Sequence, residues 1–267
     1  MRTFDYYKPN SVPEAVALLA NGSENQPIAG GMSLLPAMKL RLAAPETLID
    51  LSGITALKGI DAKAGTLTIR AMTRHSDVAN SQAVATSVPA LAQLAGSIGD
   101  PAVRNRGTIG GSLANNDPAA DYPAAVLALG ATIVTNAREI AADHFFRGMF
   151  ETALEPGELI TAVKFPLPVA AGYAKLQNAA SRFALVGVFV AKFASGVRVA
   201  VTGAGPVVFR VPAFEVALSR RFEPDAVNGH GVDPAGLNSD IHAEAAFRAH
   251  LIAVMAKRAV AAACVTA

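Results

Sequence analysis

Ala29-Gly30-Gly31-Met32-Ser33-Leu34-Leu35 follows the apolar run Pro27-Ile28-Ala29, and Thr108-Ile109-Gly110-Gly111-Ser112-Leu113-Ala114 presents the same kind of glycine pair about eighty residues later. Each pair stands where an extended segment ends, with a serine close behind: Ser33 after one intervening residue, Ser112 directly. Paired glycines expose consecutive backbone N–H groups, because no Cβ blocks close approach. A helix beginning just beyond adds partial positive charge, so a pyrophosphate fits such a turn without lysines. Taken singly, either pair is equally a plain tight turn. Two of them allow two subdomains to converge on one dinucleotide.

The surrounding pattern supplies the elements. Ser11 is placed to cap a first helix, Glu14 closes a capping box, Ala15, Val16, Leu18 and Leu19 form its apolar face, and Asn21-Gly22 ends it. Ser33 to Leu40 reads as a helix after the first pair, and Thr47 to Leu51 as a strand. Alternation over Thr66 to Arg70 predicts a strand, and Ser87 to Ile98 an amphipathic helix entered through Pro89. After the second pair, Asp117 can cap a helix whose first residue is Pro118, although Pro123 permits a start one turn later. Ala131 to Thr135 is then a strand.

Composition changes near Phe165-Pro166-Leu167-Pro168. Beyond it, Leu185 to Phe193 and Val197 to Val201 flank Ala194-Ser195-Gly196 as a β-hairpin. A long helix runs from about Ala243 to Ala263, with Arg248, Lys257 and Arg258 assigned to its wet face. A boundary near residue 168 therefore separates a larger α/β part from a smaller α+β part, and the fold class of the whole is α+β.

Composition narrows the function. Charged residues make up 16% of the 267 against a typical ~25%, apolar residues reach 52%, and the net charge is +2. A polybasic nucleic-acid binder and a disordered tail are both excluded. The uncharged stretch from Val78 to Gly99 carries too many Ser, Thr, Asn and Gln residues for a lipid-facing helix, so no membrane span is expected. MRTFDYYKPN lacks the apolar core of a signal peptide, and Cys264 is the single cysteine, so the expected compartment is cytoplasmic. One thiol cannot hold an iron–sulfur cluster, which takes about four ligands. Any cluster serving this chain must sit in another. The low charge content also suggests a surface covered by a partner.

Other chemistries find no support. Walker A and GxSxG motifs are missing, the five histidines show no metal spacing, and Gly203-Ala204-Gly205-Pro206 lacks a third glycine and reads as a turn. Asp121 lies where a helix dipole would favour its charge, and equally where it would accept from a ligand hydroxyl or ring N–H. Arg104 and Arg106 precede the second pair and suit a solvated face or subunit contact as well as a ligand.

These residues carry a family resemblance. The first stretch, continued by Lys39-Leu40-Arg41 and Thr47-Leu48-Ile49-Asp50-Leu51, resembles the first FAD loop of the flavoprotein (medium) subunits of molybdenum hydroxylases, the enzymes related to aerobic carbon monoxide dehydrogenase and xanthine dehydrogenase. The second stretch, continued through Asp117-Pro118-Ala119-Ala120-Asp121, is similar to their second FAD loop, and Tyr173-Ala174-Lys175 and Phe247-Arg248-Ala249-His250-Leu251 look like their C-terminal domain.

The resemblance implies a two-subdomain FAD-binding domain of the p-cresol methylhydroxylase type over residues 1–168 (subdomains about 1–55 and 56–168). A smaller domain of antiparallel sheet plus helices then covers 169–267. It also implies non-covalent FAD, bound through Ala29, Gly30, Gly31, Met32 and Ser33, through Thr108, Ile109, Gly110, Gly111 and Ser112, and through Asp121 and Lys175, with Tyr173 near the flavin. Met32 replaces a residue that is polar in many relatives and rules out a histidyl link at that position; Ser112 stands where asparagine is frequent.

By the same resemblance the partners are a small subunit with 2Fe-2S clusters and a large subunit with molybdopterin, assembled as a heterohexamer that feeds an external electron acceptor. No side chain here need act as an acid or base. Two rival readings stand beside this one: a stand-alone flavin oxidase of the p-cresol methylhydroxylase type, and a non-catalytic interaction subunit whose glycine turns are only structural.

Overall fold

The computed structural model describes residues 1–265. Among the described residues three larger sheets succeed one another along the chain, beside a two-stranded ribbon of Phe146–Gly148 and Glu151–Thr152. The first is parallel, ordered Asp5–Tyr7, Thr47–Asp50, Asn25–Ile28, with the helix Val12–Ala20 on it. Ser11 Oγ accepts from the Glu14 N–H at 3.3 Å as expected, but the Glu14 carboxylate reaches back to the Asn10 N–H at 2.9 Å, one residue short of a closed box. Ala15, Leu19, Ile49, Leu51 and Ile54 form a small core beneath that helix.

The second sheet is antiparallel, ordered Ile60–Lys63, Thr66–Arg70, Ile160–Pro166, Thr132–Thr135, Glu139–Ala141. The late strand Ile160–Pro166 lies in its centre. Against this sheet packs the largest core, which includes Leu67, Ile69, Leu91, Leu94, Leu113, Ile133, Val163 and Phe165. The helix expected from Ser87 to Ile98 spans Pro89–Gly96 and is buried on most sides, with Ala90, Leu91, Ala92, Leu94 and Ala95 all covered. Only a narrow side remains wet, at Gln93 and Gly96, because alanine-rich sequence lets neighbouring elements approach closely.

The third sheet holds Ala170–Gln177, Ala184–Phe193, Gly196–Thr202 and Phe209–Arg210, all antiparallel, and includes the expected hairpin. The long helix Ala245–Val265 covers it, burying Leu251, Ile252, Met255, Ala256, Ala259 and Val260 against Val186, Val188, Val190, Val199 and Val201. Gly172 makes this packing possible: a Cβ there would meet the Ala259 and Ala263 backbone of the helix within 2.9 Å.

Two sequence expectations are corrected. Arg248 is buried rather than wet: its guanidinium donates to the Leu185 carbonyl at 2.6 Å, the Gly203 carbonyl at 3.0 Å and the Asp240 carboxylate at 2.8 Å. Helical spacing alone gave no sign of carbonyls waiting beneath that face. The helix placed at Pro118 begins one turn later, over Tyr122–Ala128. Asp117 instead accepts from the Ala119 N–H at 2.9 Å, and the Pro118 carbonyl is taken by Gly203 N–H and Thr202 Oγ from the third sheet. A tertiary bond to that carbonyl competes with a helical one, so the turn cannot wind.

Arg248→Met therefore strands two buried carbonyls. We expect it to lower unfolding free energy by about 3 kcal/mol in urea titration while leaving the glycine turns untouched. An unchanged midpoint would contradict the assigned role.

Candidate functional site

The two glycine turns meet. The first follows the strand Asn25–Ile28, leaves the parallel sheet at its carboxyl end and enters the helix Leu34–Lys39. Gly30 lies flush against the start of the second turn: a Cβ there would come within 2.7 Å of Gly107 Cα and closer still to the Arg106 carbonyl oxygen. A Cβ on Gly111 would likewise stand 3.4 Å from that of Ala29. Two subdomains therefore join through their glycines, beyond the carboxyl ends of the parallel strands, the end at which α/β sheets hold ligands.

The turns differ in what they offer. In the first, the amides of Gly31, Met32 and Ser33 meet no acceptor among the described residues, and Gly31 takes a left-handed φ of +72°. Met32 and Ser33 are exposed, and Ser33 makes no side-chain cap bond to its helix. This turn is an open row of donors.

In the second, the amides are largely committed. Ile109 N–H donates to the Thr73 carbonyl at 3.1 Å, Gly110 to Ala71 at 2.8 Å, Gly111 to the Thr108 hydroxyl at 3.1 Å and Ser112 to the Thr108 carbonyl at 3.0 Å. Thr108 thus caps the helix Ile109–Asn115. Gly110 is required for packing, since a Cβ would sit 2.6 Å from that of Ala71.

Asp121 and Lys175 lie together. They form an ion pair at 2.8 Å, with side chains only 3% and 6% exposed, and the Tyr173 hydroxyl donates to the same Asp121 oxygen at 2.5 Å. Burial raises the Asp121 carboxyl above its usual range, and the Lys175 ammonium opposes that shift. The same burial, with the Asp121 charge beside it, keeps the Tyr173 phenol protonated. Lys175 Nζ also donates to the carbonyls of Ser97 at 3.1 Å and Arg182 at 3.0 Å, so each of its three protons has an acceptor. Asp121 stands at the N-cap position of its helix without a side-chain cap bond, its carboxylate being taken by Tyr173 and Lys175.

Of the twelve residues singled out by sequence, ten lie on the two turns, which touch through Ala29, Gly30 and Gly111, and two form the buried ion pair. Sequence reading missed Gly107, whose missing side chain makes room for His75, and the carbonyls of Ser97 and Arg182, which carry no signal in residue type.

This arrangement defines a two-subdomain nucleotide-binding module with an added antiparallel domain. Residues 2–168 match the family described as FAD binding domain in molybdopterin dehydrogenase. The carbon monoxide dehydrogenase medium chain of Hydrogenophaga pseudoflava is 38% identical, over 96% of this chain and 95% of that one. The nicotine 6-hydroxylase medium subunit of Paenarthrobacter nicotinovorans is 35% identical, over 96% and 95%. A solved structure of carbon monoxide dehydrogenase from Hydrogenophaga pseudoflava superposes with a TM-score of 0.89 at 37% identity, covering 99% of this chain and 98% of that one. The chain belongs to the FAD-binding medium subunits of the molybdenum hydroxylases, and as such is an FAD-binding oxidoreductase subunit.

Proposed function

We propose that the chain is the electron-transfer flavoprotein of a multi-subunit molybdenum hydroxylase. It receives electrons from the 2Fe-2S clusters of a small subunit, which drains a molybdopterin centre in a large subunit, and passes them to an external acceptor. The observation that carries the reading is the open row of amides at Gly31, Met32 and Ser33 beside the glycine seam. Consecutive amides without an acceptor suit a diphosphate, whose oxygens only accept. The same chain has one cysteine, so cluster chemistry belongs elsewhere. Relatives named as medium chains and as a dehydrogenase complex subunit support a shared assembly; its form in this reading is a cytoplasmic heterohexamer.

FAD supplies electron transfer in single or paired steps; the chain supplies everything around it. The 29–33 turn holds the diphosphate, and Thr108 to Ser112 close the seam behind it. Asp121 and Lys175 fix the wall on which Tyr173 stands, and no residue exchanges a proton with substrate. Met32 and its neighbours offer no histidine, so FAD is held without a covalent bond.

Flavin-free protein should take up one FAD per chain with quenched fluorescence. In the assembled complex that flavin should be reduced by the complex's substrate, and in the isolated chain it should not. Isolated protein oxidising an alcohol with oxygen would favour the p-cresol methylhydroxylase type of oxidase. A colourless protein that takes up no FAD would leave only a structural subunit.

A further inference from the structure

We infer that the neutral imidazole of His75 is a positioning residue, which holds the second glycine turn in its flavin-binding shape and lets it go when the ring takes a proton. The segment Ala71 to His75 is the template on which that turn is laid. Ala71 and Thr73 accept from Gly110 and Ile109, Arg74 bridges antiparallel to Thr108, and the His75 N–H donates to the Gly107 carbonyl at 3.0 Å. The His75 ring completes the contact: a Cβ on Gly107 would fall 2.5 Å from Nε2.

Among the described residues the ring has no carboxylate beside it and no acceptor at Nδ1. His75 is 5% exposed, its Nδ1 is buried with no hydrogen-bond partner, and its nearest ring neighbour is Tyr122, centroids 5.4 Å apart. The Tyr122 hydroxyl is buried and equally unpartnered, and is held protonated by burial and by the Asp121 charge. From Pro101–Arg104 comes Arg104, a like charge. The helices Gln82–Ser87 and Pro89–Gly96, also packed against His75–Ala79, carry no ionisable side chain. On its own helix Asp77 is exposed and accepts from the Arg74 N–H, and the Arg74 side chain is exposed too. A protonated ring would be a buried cation facing Arg104 with no carboxylate opposite. Such a group escapes by opening its surroundings.

Burial first and Arg104 second push the His75 pKa down to about 4. An opened turn, with the ring in water, titrates near 6.5. The open form therefore binds more protons between these values, and the closed form loses stability as pH falls through that window.

The inference rests on the flavin reading for one of its two readouts. Free flavin fluorescence reports FAD release, and hydrogen-exchange protection of residues 107–111 in flavin-free protein reports the turn alone. Between pH 7 and 4.5 we expect turn protection in flavin-free protein to fall by up to roughly 50-fold, and FAD affinity to fall in the same direction as the closed fraction is lost, before far-UV circular dichroism changes. His75→Gln should abolish the step, and Arg104→Gln, which removes the like charge and so eases protonation of the closed form, should make it smaller. If His75→Gln does not fold, the smaller step in Arg104→Gln decides. Normal FAD binding with an unchanged step in His75→Gln, or an undiminished step in Arg104→Gln, overturns the role of His75. Failure to bind FAD at any pH, with the exchange step intact, overturns the flavin reading instead.

Discussion

Gly30→Val yields a folded protein without flavin. The Cβ it introduces would lie within 2.7 Å of Gly107 Cα and closer to the Arg106 carbonyl, so it meets backbone on both sides of the seam. Neither side has a flexible end to swing away. Relief requires the parallel subdomain to back off from the antiparallel one, which separates the open amides of the first turn from the second. The antiparallel sheet keeps its core and the parallel one keeps Ala15, Leu19, Ile49, Leu51 and Ile54, losing only their packing on Met72 and Leu159, so secondary structure survives while the seam does not. FAD affinity should fall at least about 100-fold, roughly 2.7 kcal/mol, measured by fluorescence titration.

Two controls separate this from a general glycine effect. Gly31→Ala meets mainly the Leu35 side chain, 2.9 Å away at Cδ1, at a φ of +72°. It should cost about 1 kcal/mol of strain and a smaller part of the affinity. Gly65→Ala has a comparable φ of +76° with nothing within 4 Å, and should leave FAD binding alone. Full flavin content in Gly30→Val would remove the seam from the site.

The fold was legible where local rules and packing agreed. Ser11, the alternation from Thr66 to Arg70 and the hairpin around Gly196 each place a boundary within a residue or two, because capping and period-two burial are local signals. The site was half legible. Two glycine pairs could be marked as backbone-exposing turns, but residue type does not say whether an exposed amide meets a ligand or another strand. At Gly31 to Ser33 it meets nothing in the chain; at Ile109 and Gly110 it meets the carbonyls of Thr73 and Ala71, nearly forty residues away. The same blindness hid Arg248, whose acceptors are carbonyls at Leu185 and Gly203. Partners that are main-chain atoms from distant segments leave no trace in composition or spacing.

Lys175 illustrates the limit from the other side, because its side chain was marked and its partners were not. All three ammonium protons are taken, by Asp121, Ser97 and Arg182, so a direct bond to flavin would require one of these to open. Its first task is to keep Asp121 charged inside the protein. Lys175→Met removes the only cation paired with that carboxylate among the described residues and leaves it 3% exposed. Breaking one half of a buried pair costs about 3–5 kcal/mol, so the thermal midpoint should drop by roughly 10 °C. Without Lys175, burial raises the Asp121 carboxyl further, and the folded state then binds a proton that the unfolded state does not. Stability in this variant should therefore rise more steeply than in the parent as pH falls from 7 toward 5. Asp121→Asn combined with Lys175→Met leaves no charge to bury, so it should recover much of the loss and erase that pH slope. A double variant as weak as Lys175→Met alone would mean that the carbonyls of Ser97 and Arg182, rather than Asp121, are what Lys175 is there to hold.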